Sequence, residues 1–389
     1  MLTEKQFKIS AVVPLFNGEK FISEALESLL SQTHPIDEII IIDDKSTDQG
    51  LKKVQKLAES NDTIKLLINS TNRGSSHCRN LGIKESSGHY IVFLDQDDYL
   101  NSHFIHEANN HLQKHQNKEI AGLHTSYFIV DKNGNNPTES SCKEIDPEEF
   151  LGYQFVRNRI LSNSGAVIKK SILEQAGFYD ESLKFSQDWD LWLKLGKIGI
   201  FSYIKKPLTY IRRHSSNTSR KIDGFLSDEM RILQKYDLKY IQTCINKRNL
   251  PKKHNSLDFA SILLRLNKWD IFEYEINLLT AQYPKFNDIY FYQGLMALNS
   301  SQINKALKFF SMVIKNNRFY YSAQNNLASC YILKKEFSTA SDIISKILTL
   351  IPNYQDAHEN QMLAESKSLE FKRIKISTRP LRENMYDYN

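Results

Sequence analysis

The pattern of hydrophobic positions divides this chain of 389 residues into two parts. In the first hundred residues, continuous apolar runs alternate with stretches whose apolar residues lie three and four positions apart. The first pattern is typical of strands covered on both faces, and the second is typical of amphipathic helices. The predicted strands are residues 8–14, 39–42, 64–68 and 90–94, and the predicted helices are residues 19–32, 50–60 and 75–85. This alternation predicts an α/β domain built on a doubly wound sheet.

From Leu257 to Leu363 only the helical spacing remains, and it repeats with a period of 34 residues. Small and apolar residues recur at fixed positions, so that Gly294, Ala306 and Phe310 correspond to Ala328, Ala340 and Ile344. Small residues at fixed positions let paired helices approach each other closely. The pattern predicts an all-α domain of about three helical repeats. The alternative is an ordinary helical bundle whose period arose by chance.

An acidic segment, Asp95-Gln96-Asp97-Asp98, directly follows the last of the predicted strands. We call residues 95–98 the acidic loop. Adjacent carboxylates repel one another unless a cation or a donor-rich ligand compensates their charge. The carboxyl end of a strand in an α/β sheet is where such folds bind ligands. The loop therefore predicts a divalent metal that holds a substrate diphosphate, although a solvated turn or a helix N-cap at Asp97 or Asp98 is the simpler explanation.

Other polar segments also follow predicted strands, and together they resemble a known family. The segments that carry the resemblance are residues 12–18, 42–48, 72–82, 94–98, 187–195 and 210–215. In this order and spacing they resemble glycosyltransferase family 2, over roughly residues 8 to 220. The resemblance implies a GT-A fold, which is a mixed, doubly wound sheet with helices on both faces. It also implies metal-dependent transfer of a sugar from a nucleotide sugar, with inversion at the anomeric carbon.

The resemblance assigns a donor site to residues near the strand ends. Asp44 matches the aspartate that accepts a hydrogen bond from the uracil ring of a UDP-sugar donor. Asp97 and Asp98 match the ligands of Mn²⁺ or Mg²⁺, and the sequence leaves open which of the two binds the metal directly. The remaining donor contacts that the resemblance implies are Pro14, Phe16, Asn17, Arg79 and Asp95.

The later segments are expected to supply the catalytic groups. Asp188 matches the family's catalytic base, which takes the proton of the acceptor hydroxyl. Arg212 and His214 would add donors to the phosphate oxygens of the leaving group. Two alternatives stay open: Asp188 as a helix N-cap with Asp190 as the base, and Trp189 as a stacking surface for the sugar.

One residue departs from the family's pattern in this segment. Gln187 stands where the family usually has an acidic residue before the base, which puts the orientation of the acceptor in question.

We therefore divide the chain into four parts. Residues 1–222 form the GT-A domain, 223–256 a helical linker, 257–364 the helical repeats, and 365–389 a basic, flexible tail. The period and the small residues of the third part resemble tetratricopeptide repeats. That resemblance implies a protein partner or a homo-oligomer formed through the repeats.

Composition excludes several other classes of protein. The net charge of +6 is modest, and no nucleic-acid motif accompanies it, so nucleic-acid binding is not expected. The sequence has no signal peptide and no apolar run of membrane-spanning length, and its four cysteines lie far apart. We expect a cytoplasmic protein, with the basic tail offering peripheral contact at the inner face of the plasma membrane.

These observations favour transfer of a sugar from a UDP-sugar to a hydroxyl group during synthesis of a bacterial capsule or lipopolysaccharide. The acceptor would be a glycan, a lipid-linked glycan or a peptide. One alternative is a peptide or protein glycosyltransferase whose repeats bind the acceptor, and another is a catalytically inactive repeat scaffold. A nucleotidyltransferase is less favoured, because residues 17–20 do not form a glycine-rich basic loop after the first strand.

Overall fold

The computed structural model of the chain describes residues 7–116, 118–141, 144–160, 162–214, 222–352, 354–368 and 373–379, with the side chains of 222–226 excepted. The chain divides into two compact units, residues 1–236 and 237–389. The segment that we expected to be a separate linker, 223–256, is therefore shared between the two units. Of the predicted tail, residues 369–372 and 380–389 lie outside the described residues.

The first unit contains the strands and eight of the helices that the structure describes. Its strands are β1 (Ile9–Leu15), β2 (Glu38–Asp43), β3 (Ile64–Ile68), β4 (Tyr90–Phe93), β5 (Tyr99–Leu100), β6 (Ile120–Val130), β7 (Thr138–Ser140), β8 (Val167–Lys169) and β9 (Ile200–Arg212). Its helices are α1 (Ile22–Leu30), α2 (Gly50–Ala58), α3 (Ser75–Glu85), α4 (Phe104–Lys114), α5 (Phe150–Val156), α6 (Lys170–Ala176), α7 (Gln187–Gly196) and α8 (Ile222–Leu233). The bounds of β3 and α3 agree with the sequence prediction, and the other predicted elements differ by a few residues at their ends.

The strands form one mixed sheet in the order β3-β2-β1-β4-β8-β6-β9-β5, with β7 paired to β6. Strands β3, β2, β1 and β4 are parallel, whereas β8 runs antiparallel to both β4 and β6. The predicted fold class, a mixed α/β sheet followed by an all-α region, is confirmed. Because β1, β2 and β4 are parallel, the segments that follow them leave the same edge of the sheet.

Helices cover both faces of this sheet. Successive residues of a strand point to opposite faces, and Val13 accordingly lies in the core on the α1 side while Val12 lies in the core on the α3 side. Helix α3 lies very close to the sheet at Gly82, where a Cβ atom would come within 2.4 Å of the Val12 side chain. This close contact fixes the position of α3, whose side chains contribute to the candidate site.

The regular secondary structure of the second unit, among its described residues, consists of helices. Its helices are α9 (Leu238–Asn246), α10 (Lys252–Arg265), α11 (Trp269–Gln282), α12 (Ile289–Asn299), α13 (Ile303–Asn316), α14 (Tyr321–Leu333), α15 (Phe337–Leu350) and α16 (Gln355–Glu365). Each helix from α9 to α16 packs on the next. Gly294 lies directly against the ring of Phe310, and Ala328 and Ala340 share one core. The small residues of the 34-residue pattern thus lie where paired helices approach.

Part of the predicted flexible tail is held in place. Residues 374–377 lie against α14 and α16, where their main chain is hydrogen-bonded to buried side chains. The basic composition of the tail had suggested a solvated end, but composition does not report main-chain hydrogen bonds. Within the described part of the chain, no helix combines the length and the apolar character needed to cross a membrane.

Candidate active site

The segments that follow β1, β2 and β4 are tied together by hydrogen bonds. The Asn17 amide donates to Ser46 Oγ at 3.0 Å, and Asn17 Oδ1 accepts from the Thr47 amide at 2.8 Å. Gln96, in the acidic loop, binds both main-chain groups of Phe16, at 2.7 Å and 2.9 Å. Phe16 keeps an exposed ring, whereas Pro14 is buried within β1. Three segments that the sequence only predicted to be neighbours therefore form one surface.

Asp44 anchors the loop that leads into α3. Its Oδ1 accepts from the Asn69 side chain and from the Arg73 amide, each at 2.8 Å. Its Oδ2 accepts from the Gly74 amide at 2.7 Å. The Cys78 thiol is also hydrogen-bonded to Asp44, so about four lone-pair positions of this carboxylate are used within the protein. Asp44 thus orders the loop at which the uracil site is predicted.

Arg79 of α3 brings buried and unused donors to the site. The residue is 3% exposed, and its Nη2 donates to Asp95 Oδ1 at 2.5 Å. The guanidinium carbon lies 5.5 Å from the centre of the Tyr179 ring. Its Nε and Nη1 groups are buried without a hydrogen-bond partner. A buried donor that lacks an acceptor costs roughly 1–3 kcal/mol, and more when it is charged, so these two groups would gain from an anionic acceptor brought within their reach.

The three carboxylates of the acidic loop differ in their surroundings. Asp98 is 4% exposed, and its oxygens accept from the Ser164 hydroxyl at 2.5 Å and from the Arg212 amide at 2.9 Å. The Asp97 side chain is 20% exposed and lies 2.8 Å from Nε2 of His214. Asp95 is partly exposed beside Arg79. Asp95 and Asp97 therefore offer oxygen atoms toward solvent, whereas Asp98 is directed inward.

Burial and mutual repulsion both act on these carboxylates. Burial, followed by the charges of Asp97 and Asp95, raises the pKa of Asp98 well above its ordinary value. Burial and the charge of Asp95 also raise the pKa of Asp97, while the contact with His214 lowers it in part. Both shifts mean that negative charge in the loop is only partly compensated by the protein. A cation in contact with the loop would supply the missing compensation.

The acidic loop fits a metal ion that takes many of its ligands from a substrate. Among the described residues, no group of three or more His, Cys, Asp or Glu side chains forms a ready-made metal site. Mg²⁺ in proteins is commonly held by one or two carboxylates together with substrate phosphates and water. Asp95 and Asp97 meet that requirement. Of the two candidate ligands that the sequence left open, Asp97 is the more exposed and Asp98 the more buried.

Arg212 supports the acidic loop from behind. Its guanidinium bonds the main-chain oxygen of Asp97 at 2.9 Å, the main-chain oxygen of Lys132 at 3.2 Å, and the carboxylate of Glu24. The side chain is almost fully buried, between the rings of Phe21 and Tyr99. These contacts differ from the expected contact with phosphate, because all three nitrogen positions of the guanidinium are used within the protein.

Asp188 lies in the first turn of α7 and is half-buried. Its carboxylate accepts from the Asn158 side chain at 3.0 Å and from the Trp189 amide at 2.8 Å. Burial raises the pKa of Asp188 to about 6, and the Trp189 amide, the charge of Arg79 and the Asn158 bond offset only part of that effect. The charge of Asp188 acts on Arg79 together with that of Asp95. The structure thus brings the predicted base into the same electrostatic group as the donor-site residues.

Trp189 and Asp190, which follow Asp188 in α7, face the interior. Asp190 is fully buried and lies 2.6 Å from Nζ of Lys235 and 3.2 Å from Nζ of Lys194. Trp189 is 3% exposed, and its Nε1 donates to the main-chain oxygen of Gln154 at 2.6 Å. The geometry therefore does not support Asp190 as an alternative base or Trp189 as a stacking surface. Gln187, at the unusual position before the base, donates to Ser75 Oγ at 3.3 Å.

Sequence reasoning missed the neutral residues that orient the carboxylates. Ser164 binds both the Asp98 carboxylate and the Asp95 amide, and Asn158 binds Asp188. Tyr179 lies beneath Arg79. Neutral polar residues in loops carry little signal in a single sequence. One signal was present, because the polar residues 162–164 stand directly before the apolar run that forms β8.

Comparison with known proteins agrees with this geometry. Residues 10–176 match the model of the family described as glycosyl transferase family 2. That range contains β1 to β8 and the acidic loop. Over this range the match confirms the resemblance to that family that the segments predicted.

Two curated relatives extend the similarity to Asp188 and beyond it. An uncharacterised glycosyltransferase of Rickettsia felis is 27% identical over 223 residues, which cover 56% of this chain and 36% of the relative. A Campylobacter jejuni protein, named GalNAc(5)-diNAcBac-PP-undecaprenol beta-1,3-glucosyltransferase, is 30% identical over 207 residues, covering 53% of this chain and 64% of the relative. The chain spans about a third of the length of the Rickettsia felis relative.

The fold is also that of a solved structure. A structure of residues 1–349 of S. aureus TarS, in complex with UDP-GlcNAc, is similar with a TM-score of 0.51 and 22% identity. The similarity covers 92% of this chain and 92% of that one. It establishes a GT-A type fold followed by a helical region.

Proposed function

We propose that this protein transfers a sugar from a UDP-sugar to a hydroxyl acceptor by a single inverting displacement, with Asp188 as the general base. The observation that carries the proposal is the Asp188 carboxylate, whose pKa is raised to about 6 and which acts on Arg79 together with Asp95. A general base works best when its pKa lies near the operating pH. At neutral pH this carboxylate is ionised and able to accept a proton.

The surroundings of Asp188 support this role over a structural one. Asn158 and the Trp189 amide hold the carboxylate by one hydrogen bond each, one to each oxygen. Each oxygen keeps a lone pair for the proton of an acceptor hydroxyl. Helix α7 begins at this carboxylate, and a helix N-terminus favours the ionised form. Because attack is direct, the configuration at the anomeric carbon inverts.

The donor would bind along the edge formed by the segments after β1, β2 and β4. Asp44 is the residue that would face the uracil ring, from a carboxylate already ordered by Asn69, Arg73 and Gly74. Phe16 keeps an exposed ring in the surface that these segments form. The two unpartnered nitrogens of Arg79 suit a phosphate oxygen. The solved structure with a similar fold was obtained with UDP-GlcNAc, which supports a UDP-sugar as the donor class.

Asp95 and Asp97 are the residues that would hold Mn²⁺ or Mg²⁺. When bound, such a cation stabilises the negative charge of the departing diphosphate as a Lewis acid. His214 orients Asp97, and Arg212 fixes the main chain of the same residue. In this proposal Arg212 is a positioning residue, and Arg79 is the basic residue that faces the donor.

For the acceptor we propose a growing bacterial surface polysaccharide, in its lipid-linked form. The Campylobacter jejuni relative is named for an acceptor carried on undecaprenol diphosphate. A lipid-linked acceptor would be met at the inner face of the plasma membrane, which agrees with our expectation of a cytoplasmic protein in peripheral contact with the membrane. A peptide acceptor bound by the repeats is the alternative.

The decisive experiment is a donor screen followed by product stereochemistry. Radiolabelled UDP-, GDP- and dTDP-sugars are incubated with the full chain and Mn²⁺, with and without EDTA, and hydrolysis and transfer are both measured. We expect turnover of a UDP-sugar that stops in EDTA. The proton coupling constant at the anomeric centre of the first-formed product should report the configuration opposite to that of the donor. A product with retained configuration would overturn the single displacement, and Asp188 as its base.

A further inference from the structure

The second unit contains a group of polar side chains that are fully buried on two contacting helices. Asn325, Asn326 and Ser329 lie on α14, and Asn360 lies on α16. Buried polar groups in native proteins are almost always hydrogen-bonded. Here their partners include main-chain groups of Lys375 and Ser377, in the stretch 374–377 that we call the C-terminal segment.

Two of these asparagines each hold one residue of the segment by both of its main-chain groups. Asn326 accepts from the Ser377 amide at 2.8 Å and donates to the Ser377 carbonyl at 2.9 Å. Asn360 accepts from the Lys375 amide at 2.9 Å and donates to the Lys375 carbonyl at 2.8 Å. This pair of bonds is the one that two residues exchange across an antiparallel ladder. Each asparagine therefore takes the place of a neighbouring strand.

Asn326 and Asn360, which we call the two clamps, follow the spacing of the helical repeat. Asn326 and Asn360 are 34 residues apart and hold equivalent positions in successive repeats. The residues that they bind, Ser377 and Lys375, are two apart and run in the opposite order. A spacing of two is that of alternate residues in an extended chain, which present their amides to the same side. One repeat therefore corresponds to two residues of an extended peptide.

One position in the segment is also recognised by its side chain. The Ser377 hydroxyl donates to Asp356 Oδ2 at 2.6 Å, accepts from Asn325 Nδ2 at 3.1 Å, and bonds the hydroxyl of Tyr354. Ser377 is buried, whereas Lys375 makes only a partly exposed ion pair with Glu359. The pocket thus requires a small hydroxyl group at this position and contributes most of the side-chain selectivity.

We propose that this face of α14 and α16 is a binding site for an extended peptide with a serine or threonine at the position of Ser377. The C-terminal segment occupies the site in cis, so a peptide of another protein enters by displacing it. Asn326 and Asn360 recognise the main chain of alternate residues of the peptide, and the pocket around Ser377 recognises its hydroxyl group. The inference is independent of the sugar-transfer activity proposed above.

The first test releases the segment without altering the site. Ser377→Glu places a second carboxylate against Asp356 and enlarges the side chain, so we expect the segment to leave. Hydrogen exchange on the full chain should show that the amides of residues 375 and 377 lose protection by at least tenfold. Thr378→Glu adds the same charge at an exposed neighbouring position and should leave the protection unchanged. Unaltered protection in the Ser377→Glu chain would overturn the requirement for a hydroxyl.

The second test adds a ligand to the released site. The probe is a fluorescein-labelled peptide with the sequence of residues 373–379, followed by fluorescence anisotropy. We expect it to bind the Ser377→Glu chain at least tenfold more tightly than the wild-type chain, whose tethered segment competes at a high effective concentration. Asn326→Ala in the Ser377→Glu background should abolish binding, while Asn316→Ala, at an exposed asparagine of α13, should not change it.

Chemically altered peptides keep the test valid even if the Asn326→Ala variant fails to fold. Methylation of the peptide amides that correspond to Lys375 and Ser377 removes the two donors used by the clamps, and binding should be lost. Methylation at the position of Ile376 leaves both clamps intact, and binding should be retained. A segment that serves only to complete the helical core would not exchange with free peptide. Absence of binding to the Ser377→Glu chain, or equal binding of both methylated peptides, would therefore overturn the proposal.

Discussion

The acidic loop and the start of α7 use the same arrangement, in which a site-facing carboxylate stands beside an inward one. In the loop, Asp97 is partly exposed and Asp98 is buried, and in α7 the same holds for Asp188 and Asp190. The difference lies in the partners of the buried member. Asp190 is paired with the charged lysines 194 and 235, whereas Asp98 receives only neutral hydrogen bonds from a hydroxyl and an amide.

This difference indicates which segment needs a ligand to balance its charge. The negative charge of Asp190 is compensated within the fold, so α7 is electrostatically complete before substrate binds. In the acidic loop Asp98 has no such charged partner, and burial, followed by the charges of Asp97 and Asp95, raises its pKa well above the ordinary value. A cation bound with the donor diphosphate would complete the loop. The two segments should therefore respond in opposite ways to metal and to mutation.

The largest effect should come from Asp188→Asn, which keeps the shape of the side chain and one of its two acceptor oxygens but removes its basicity. We expect turnover to fall by about 10²–10⁴-fold, the usual contribution of a general base. Affinity for UDP should stay nearly unchanged. Steady-state kinetics and UDP titration measure the two quantities separately. Asp190→Asn is the matched control, and a loss of turnover as large as that of Asp188→Asn would reverse the roles of the two carboxylates.

Removal of the exposed carboxylate of the loop should have the next largest effect. Asp97→Asn should lower turnover by about 100-fold or more, because metal stabilisation of a leaving group contributes several kcal/mol to the barrier. It should also abolish the rise in melting temperature that Mn²⁺ and UDP together give the wild-type chain. Asp98→Asn should reduce that thermal shift less. If the two variants responded alike, the inward orientation of Asp98 would carry no functional meaning.

The paired carboxylate of α7 should matter for stability. Asp190→Asn removes the carboxylate paired with Lys194 and one of the two paired with Lys235, and loss of one partner of a fully buried pair costs about 3–5 kcal/mol. Lys235 is partly exposed and still contacts Asp180, so we expect a smaller loss of roughly 1–3 kcal/mol. Urea unfolding of the full chain, with Lys206→Ala as an exposed-charge control, measures this loss.

The pH dependence of turnover should distinguish the start of α7 from the acidic loop, with a smaller but more specific effect. Because Asp188 acts as a base only when ionised, and burial raises its pKa to about 6, turnover should fall tenfold per pH unit below about 6. Its folded pKa lies above its ordinary value of 3.8, so the folded chain binds more protons than the unfolded chain between about pH 4 and 6.

The sign of the stability effect follows from this linkage. The contribution of Asp188 to stability decreases as the pH rises through that window. Asp188→Asn should therefore melt at a slightly higher temperature than the wild-type chain at pH 7.5. A pH profile of turnover that stays flat down to pH 5 would contradict the assignment of Asp188.

Much of the fold was predictable from the sequence, because the hydrophobic period reports directly on which face of an element is buried. The strands that end near Asp44 and Asp95 were placed correctly for this reason. The separate roles of Asp188 and Asp190 were not predictable from periodicity, since Lys235 lies 45 residues away in the sequence. The position of the C-terminal segment was missed for the same reason, because Asn326 lies 51 residues before Ser377.

The asparagine pair of the second unit also determines how a bound peptide can be misaligned. A shift of one residue would turn the wrong amides toward Asn326 and Asn360, and both clamps would be lost. A shift of two residues keeps every clamp bond and moves only the side chains. The asparagines therefore fix the phase of the peptide, and the pocket around Ser377, together with the apolar contact of Ile374, fixes its register. Replacing that hydroxyl with alanine should leave a bound segment that slips in steps of two.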